Sequence, residues 1–425
     1  MNKIKQEKRI IASNFFSLSV LQIANYILPL IILPFLVRVL GLEKFGLVMF
    51  AQSLATFFNI AVDFGFEISG TREIALLKKQ KEKVSQIFSA IILIKLGLVI
   101  FWFLMLWFMV ELVPRFRENS IVYFLSFGVV VGNTLFPVWF FQGIEKMKFV
   151  TLINILAKLI FTILIFFIIR NESDYYLVPA FNSIGYIIAG FLGLVIALKH
   201  TKLVVPPWIL IKRLFYDSTS LFLGKFATNL YTTCNVLILG FFTVDSIVGV
   251  YSSIEKLLLA VKNVYVPFYQ AVFPWLSNQP YIKRIQFLKK IGPVILMVGV
   301  GITSVILFFG KEILTIIYND EFLLEYINVF KILGFLAILS GLNMMFISLY
   351  FPAVKMYKTR MRILFQAGIL HLCISLVLVK INGIYGMAFS VLTTELLLLV
   401  FSYIIYIKNL KKEKECFLSK ENIQD

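Results

Sequence analysis

Five lysines stand inside long apolar stretches of this 425-residue chain: Lys95, Lys158, Lys225, Lys256 and Lys262. An ionised group at bilayer depth costs at least ~2.5–3.5 kcal/mol, so it faces a partner or a wet cavity rather than lipid. Lysine carries a compact ammonium on a flexible stem, which attracts a phosphate without locking its geometry as an arginine fork would. A lysine-rich interior therefore suits the passage of an anionic ligand. Acids in comparable stretches are fewer: Asp63 and Glu67 toward the end of one span, and Asp217, Glu255 and Glu395 elsewhere. Buried acids of this kind carry proton relays and ion sites in membrane transporters. Coupling to a proton or sodium gradient through Asp63, Glu255 or Glu395 is the activity they allow.

Plainer readings stand beside these. Lys95 and Lys225 can snorkel toward an interface. Glu255 and Lys262, seven residues apart on one helical face, can belong to a structural charge network. Glu395 can be a hydrogen-bonded carboxyl with no part in transport. For Lys158, near the middle of its span, lining a cavity is favoured. His200 and His371 stand alone, and Cys234, Cys373 and Cys416 follow neither disulfide nor metal spacing. There is no GxxxxGK[ST] phosphate loop. The chain is expected to be no enzyme, with no resident metal or cofactor.

The elements that must position these residues are long and apolar. The chain is 60% hydrophobic and 15% charged, against about 45–50% and about 25% in soluble domains. One water-soluble core cannot hide that excess, and lipid is the better solvent. A span takes about 20 apolar residues. Twelve are expected, near 11–37, 45–66, 84–110, 119–141, 148–169, 175–198, 214–241, 247–276, 289–310, 326–351, 362–380 and 384–407. The basic start, Met1 to Ile10, leads into a retained first helix rather than a cleaved signal.

Alternate connections then carry about 28 of the basic residues on one side and about seven on the other, out of 41 in all. A missed helix would scramble that asymmetry. It holds to the end, which places both termini in the cytoplasm. The net charge of +18 thus lies in short loops beside anionic lipid, and no nucleic-acid partner is expected. Connections on the opposite side, such as 40–44, 170–174 and 242–246, are too short for an extramembrane catalytic domain.

A shift of 203 residues lays Ala24 on Ala227, Leu36 on Leu239, Gly46 on Gly249 and Leu54 on Leu257. Two lobes of six helices are expected, 1–205 and 206–425. Parallel repeats of this kind place a substrate site between lobes that rock around it.

The stretch FGLVMFAQSLATFFNIAVDFGFEISGTREIA, Phe45 to Ala75, resembles a hallmark segment of the Wzx-type polysaccharide flippases. PVWFFQGIEKMKFVTLINILAKLIF, STSLFLGKFATNLYTTCNVLILGFF and VGVYSSIEKLLLAVKNVYVPFYQAVFPWLS look similar as well. The resemblance covers most of the chain. It implies an all-α, MATE/MurJ-like bundle of two pseudo-symmetric lobes with a cationic vestibule. It further implies a substrate of one oligosaccharide repeat unit on undecaprenyl pyrophosphate, for O-antigen or a similar surface polysaccharide. The substrate would be flipped from the cytoplasmic to the periplasmic leaflet of a bacterial inner membrane by alternating access, in company with a polymerase and a chain-length regulator.

Matched onto this sequence, the hallmark singles out Asp63, Gly65, Glu67, Gly70, Thr71, Arg72 and Glu73, and the second lobe supplies Glu255, Lys256 and Lys262. Asp63, Glu67, Arg72, Glu255 and Glu395 become the candidates for coupling or gating, and the five lysines those for binding. The first helix lacks a carboxylate between Ile11 and Val37, where many cation-coupled exporters of the superfamily carry an aspartate. The peptidoglycan-precursor flippases usually have additional helices and cavity arginines, where this chain has lysines. The alternatives are a multidrug or cation exporter, which wants an acidic cavity, and a polysaccharide polymerase, which wants a long periplasmic loop.

Overall fold

The computed structural model describes residues 2–421, with side chains over 28–411. The basic N-terminal residues, Ala24, Cys416 and the tail lysines past Lys411 lie outside the described side chains. Among the described residues there is no strand, and each of the twelve expected spans is helical apart from short breaks. The first two spans form one continuous run, Asn2–Asp63, that leaves helical geometry at Gly41 with φ 67°. The last two lie in Tyr357–Glu421 and break at Asn382 and Gly383, the glycine at φ 51°. A left-handed residue there turns the chain without a long loop, and glycine does so without steric cost.

Among the described residues, seven helices are long and apolar enough to cross a membrane, including Lys81–Leu112, Met147–Ile168 and Tyr281–Ile317. Several of them turn large apolar side chains outward. Ile100, Phe101, Phe103, Leu104, Trp107 and Phe108 are exposed along one helix, and Met297, Phe308 and Phe309 along another. Exposed apolar surface on this scale marks a face for lipid.

The chain divides into two compact units. One comprises Met1–Phe226 with Val244–Gly249, the other Ala227–Thr243 with Val250–Asp425. The first has a core of Phe66, Phe88, Ile91, Trp139, Phe140 and Phe141. The second is built on Tyr265, Tyr269, Phe346, Tyr350, Phe351 and Tyr406.

The repeat is written into local geometry. Val138–Gly143 ends with Glu145 at φ 61°, Lys146 N donating to Phe141 O at 2.8 Å and Ile144 N to Phe140 O at 3.0 Å. In the second unit Lys355 sits at φ 60°, Met356 N donates to Phe351 O at 2.8 Å and Val354 N to Tyr350 O at 3.1 Å. These are two copies of one Schellman-type turn. Positions 145 and 355 are 210 apart rather than 203. The copies therefore differ in length along the way, as in the third helix of each, 32 residues in Lys81–Leu112 and 37 in Tyr281–Ile317.

Inside the first unit the mates Gly46 and Gly249 meet each other. A Cβ on Gly46 would lie 2.6 Å from Gly249 N, and one on Gly249 would lie 3.3 Å from Gly46 N. The carbonyls they face belong to Asp245 and Leu42, again 203 apart. Any side chain at either glycine would push the two helices apart.

Candidate functional site

The expected residues gather in two clusters, one in each unit. The first forms where Asn2–Asp63 ends. Phe64 and Gly65 take left-handed backbone, φ 47° and 80°, and a new helix, Phe66–Leu77, begins. The break is clamped against helix Trp208–Thr232. The Phe64 ring stacks on Phe215 and Phe222, with centroids 4.4 and 4.6 Å away. Ser69 and Ser218 share a 2.7 Å hydrogen bond. A Cβ on Gly65 would stand 3.0 Å from both Leu221 Cβ and Phe222 N, so this position needs glycine for its backbone and for its space.

The clamp presents Asp63 to two lysines. Lys95 Nζ donates to Asp63 Oδ1 at 3.4 Å, and Lys225 Nζ to Asp63 Oδ2 at 3.1 Å and to Glu67 Oε2 at 2.6 Å. Side-chain exposure rises along the chain of charges, from 6% at Lys95 and 17% at Asp63 to 32% at Lys225 and 48% at Glu67. Two ammoniums thus meet two carboxylates, and the cluster is formally neutral. Charges desolvated this far are tolerable only when paired and hydrogen-bonded.

The rest of the hallmark lies around this cluster rather than in it. The Thr71 hydroxyl lies 2.5 Å from Glu67 O, 3.0 Å from Gln142 Oε1 and 3.1 Å from Trp139 O. Glu73 accepts from Arg213 at 3.0 Å, and Arg72 is exposed. Lys158 is half-buried on Met147–Ile168 and is not one of the four.

The second cluster sits wholly in the second unit. Lys262 Nζ donates to Glu395 Oε1 at 2.7 Å. Asn343 Nδ2 reaches Glu395 Oε2 at 2.6 Å and its backbone oxygen at 2.8 Å, and Ser340 donates to Oε1 at 3.4 Å. A second polar chain starts at the neighbouring Thr394. Its hydroxyl lies 2.9 Å from His371 Nδ1, His371 Nε2 lies 2.9 Å from Asn235 Oδ1, and Asn235 Nδ2 donates to Glu255 Oε1 at 3.0 Å. With Nδ2 given to Glu255, Asn235 Oδ1 accepts from His371 Nε2–H. The Thr394 hydroxyl is shared between His371 Nδ1 and the Ser390 carbonyl, 2.8 Å away. Lys256 is half-buried beside Glu255 on helix Asp245–Asn263.

The structure thus brings Asp63, Glu67, Lys95 and Lys225 together, and Lys262 with Glu395. Sequence reading took His371 as isolated and passed over Asn235, Ser340, Asn343 and Thr394. The available signal was polar side chains on apolar spans, since buried amides and hydroxyls in lipid-embedded helices bond to one another.

Long helices that expose phenylalanine and leucine while drawing their charges into interior clusters define a multi-pass membrane protein. The fold is that of the lipid II flippase MurJ in an inward closed conformation, with a TM-score of 0.72 at 14% identity, covering 92% of this chain and 89% of that one. It is shared with a multidrug resistance MATE family transporter of the MOP superfamily in an outward-facing conformation, with a TM-score of 0.58 at 12% identity over 95% and 96%. The chain belongs to the polysaccharide biosynthesis protein family, which it matches over residues 11–279. It is 31% identical to a protein of Escherichia coli (strain K12) named "Putative O-antigen transporter", over 90% of this chain and 94% of that one. The expected all-α, MATE/MurJ-like fold and the Wzx-type family are both borne out. The names of these proteins are those of transporters rather than enzymes.

Proposed function

We propose that this protein flips a lipid-linked oligosaccharide, one repeat unit on undecaprenyl pyrophosphate, from the cytoplasmic to the periplasmic leaflet of a bacterial inner membrane. The observation that carries the reading is the near full-length relationship to a protein named as an O-antigen transporter. The interior lysines support it. Moving a diphosphate through bare hydrocarbon is prohibitive, and Lys158, Lys225, Lys256 and Lys262 replace part of its lost hydration. Lys95, the most buried of the five, positions Asp63 and adds to the positive potential.

The protein alternates between inward- and outward-open states with both termini in the cytoplasm, as the basic loops favour. A proton or sodium gradient resets the cycle through the acids, above all Glu255, which ends the hydrogen-bonded chain from Thr394 through His371 and Asn235. A polymerase and a chain-length regulator take up the flipped unit.

The test is deletion in the host with extraction of membrane lipids. Accumulated cytoplasmic-side repeat units, lost surface polymer, and restoration of both by the wild-type gene are expected. Unchanged polymer with altered drug susceptibility would overturn the reading in favour of an exporter. Flipping in vesicles should fall when both ion gradients are collapsed, and flipping that persists would remove the coupling.

A further inference from the structure

Resting on the reading of Lys225 as a headgroup lysine, we propose that Glu67 is a resident counter-ion that competes with the diphosphate for Lys225. It sets how weakly the headgroup is held. The four-charge cluster has a closed end and an open end. Lys95 and Asp63 are the closed end, with side chains 6% and 17% exposed, and Lys225 and Glu67 the open end, at 32% and 48%.

Asp63 cannot exchange. It divides its two oxygens between Lys95 and Lys225, and its departure would strand a buried ammonium, which is strongly unfavourable. Among the described residues Glu67 forms one ion pair, with Lys225, through one oxygen at 2.6 Å. It stands in the first turn of Phe66–Leu77, where the helix amides favour negative charge even after the lysine has left. A carboxylate oxygen and a phosphate oxygen offer an ammonium the same acceptor, so a diphosphate can take over the Glu67 contact while Asp63 keeps Lys225 in place.

The consequence is a site that is never an open cation. Its lysine is desolvated only in company, which limits the cost of holding it in the membrane. The headgroup must displace Glu67 on arrival, and Glu67 displaces it on departure. Binding is therefore weaker than the lysines alone would give, and release is faster.

The experiment measures binding of farnesyl pyrophosphate and inorganic pyrophosphate to the purified full-length protein in nanodiscs, by calorimetry at low salt. Glu67→Gln should lower Kd roughly fivefold, the factor that corresponds to losing a partly exposed ion pair. Glu67→Asp should stay near wild type. Lys225→Gln should weaken binding, and adding Glu67→Gln to it should bring no recovery. Glu67→Ala repeats the comparison if the glutamine variant elutes as aggregate.

Tightening for the prenyl compound alone assigns a lipid source, and equal tightening for both shows a site that reads the diphosphate; either supports the counter-ion role. Unchanged or weaker binding in Glu67→Gln and Glu67→Ala, while Lys225→Gln loses affinity, overturns the counter-ion role alone. Wild-type affinity in Lys225→Gln, or no binding by the wild type, overturns the headgroup reading of Lys225 and the counter-ion with it.

Discussion

Lys262→Gln can separate the two tasks open to the Lys262–Glu395 pair. Glu395 is 6% exposed and is reached by Lys262 at 2.7 Å, by Asn343 at 2.6 Å and by Ser340 at 3.4 Å. At an effective dielectric of ~20, unit charges at that ion-pair distance attract by about 6 kcal/mol. Desolvation offsets most of this. Removing one partner of a buried pair nevertheless costs about 3–5 kcal/mol, because the other charge is left behind. The Lys262 side chain is 29% exposed, and water reaching it places this pair near the lower bound.

Lys262→Gln should therefore lose about 3 kcal/mol of stability and Glu395→Gln about 2 kcal/mol. The double variant retains an amide hydrogen bond and strands no charge, so it should lose only about 1–2 kcal/mol. The assay is denaturant unfolding in detergent followed by tryptophan fluorescence, alongside restoration of surface polysaccharide in a deletion strain. Stability should return in the double variant while transport does not, since the headgroup still lacks its ammonium. Losses that add within about 0.5 kcal/mol would refute the pairing. Normal polymer from a stable double variant would refute the headgroup role and leave the pair purely structural.

Three further outcomes are expected. His371→Leu strips partners from Asn235 and Thr394 together and should cost about 1–3 kcal/mol in the same unfolding assay, with His371→Asn losing less. Gly249→Val and Gly46→Val should each cost about 1–3 kcal/mol by overpacking, and losses under about 0.5 kcal/mol in both would refute the close approach of the two mates. Lys355→Gly should stabilise by about 0.5–1 kcal/mol, because a lysine at φ 60° strains against its own carbonyl where glycine does not. Glu145→Gly should gain less, since it also gives up a 2.9 Å ion pair with Lys78.

The helices were legible because length and hydropathy of a run dictate a span whatever packs beside it. Where the backbone departs from that rule, sequence reading lost it. The expected span 45–66 ends instead at Asp63, and the polar GTREIA segment that follows joins a helix of its own, Phe66–Leu77. Its cause is partly tertiary: Gly65 takes left-handed backbone at no steric cost, whereas Phe64 does so with its ring stacked on Phe215 and Phe222. The same limit applies to the site. That Lys95, Lys225 and Asp63 carry buried charge was plain from their surroundings in sequence. That they meet was not, since they come from three helices separated by 32 and 162 residues. An acid placed among apolar residues announces a partner without naming it.

The repeat sharpens this point. Its copies agree in what packing controls: the Gly46 and Gly249 contact, and the turns at 145 and 355. They disagree in what charge controls. At the 203-residue shift Asp63 falls on Val266, Lys262 on Asn59 and Glu255 on Gln52. Neither cluster is therefore a copy of the other, and each unit pairs its own charges with its own partners. A lipid-linked saccharide is itself asymmetric, with a diphosphate at one end of the sugar and a polyprenyl chain beyond. If the protein alternates between two states as proposed, unlike charges at repeat-related positions let those states differ in affinity for an anion. A ligand with equal affinity for two states shifts neither. On the proposed mechanism the asymmetry between the clusters, rather than the number of lysines, lets an anionic headgroup favour one state over the other, while the driving gradient sets the direction of net transport.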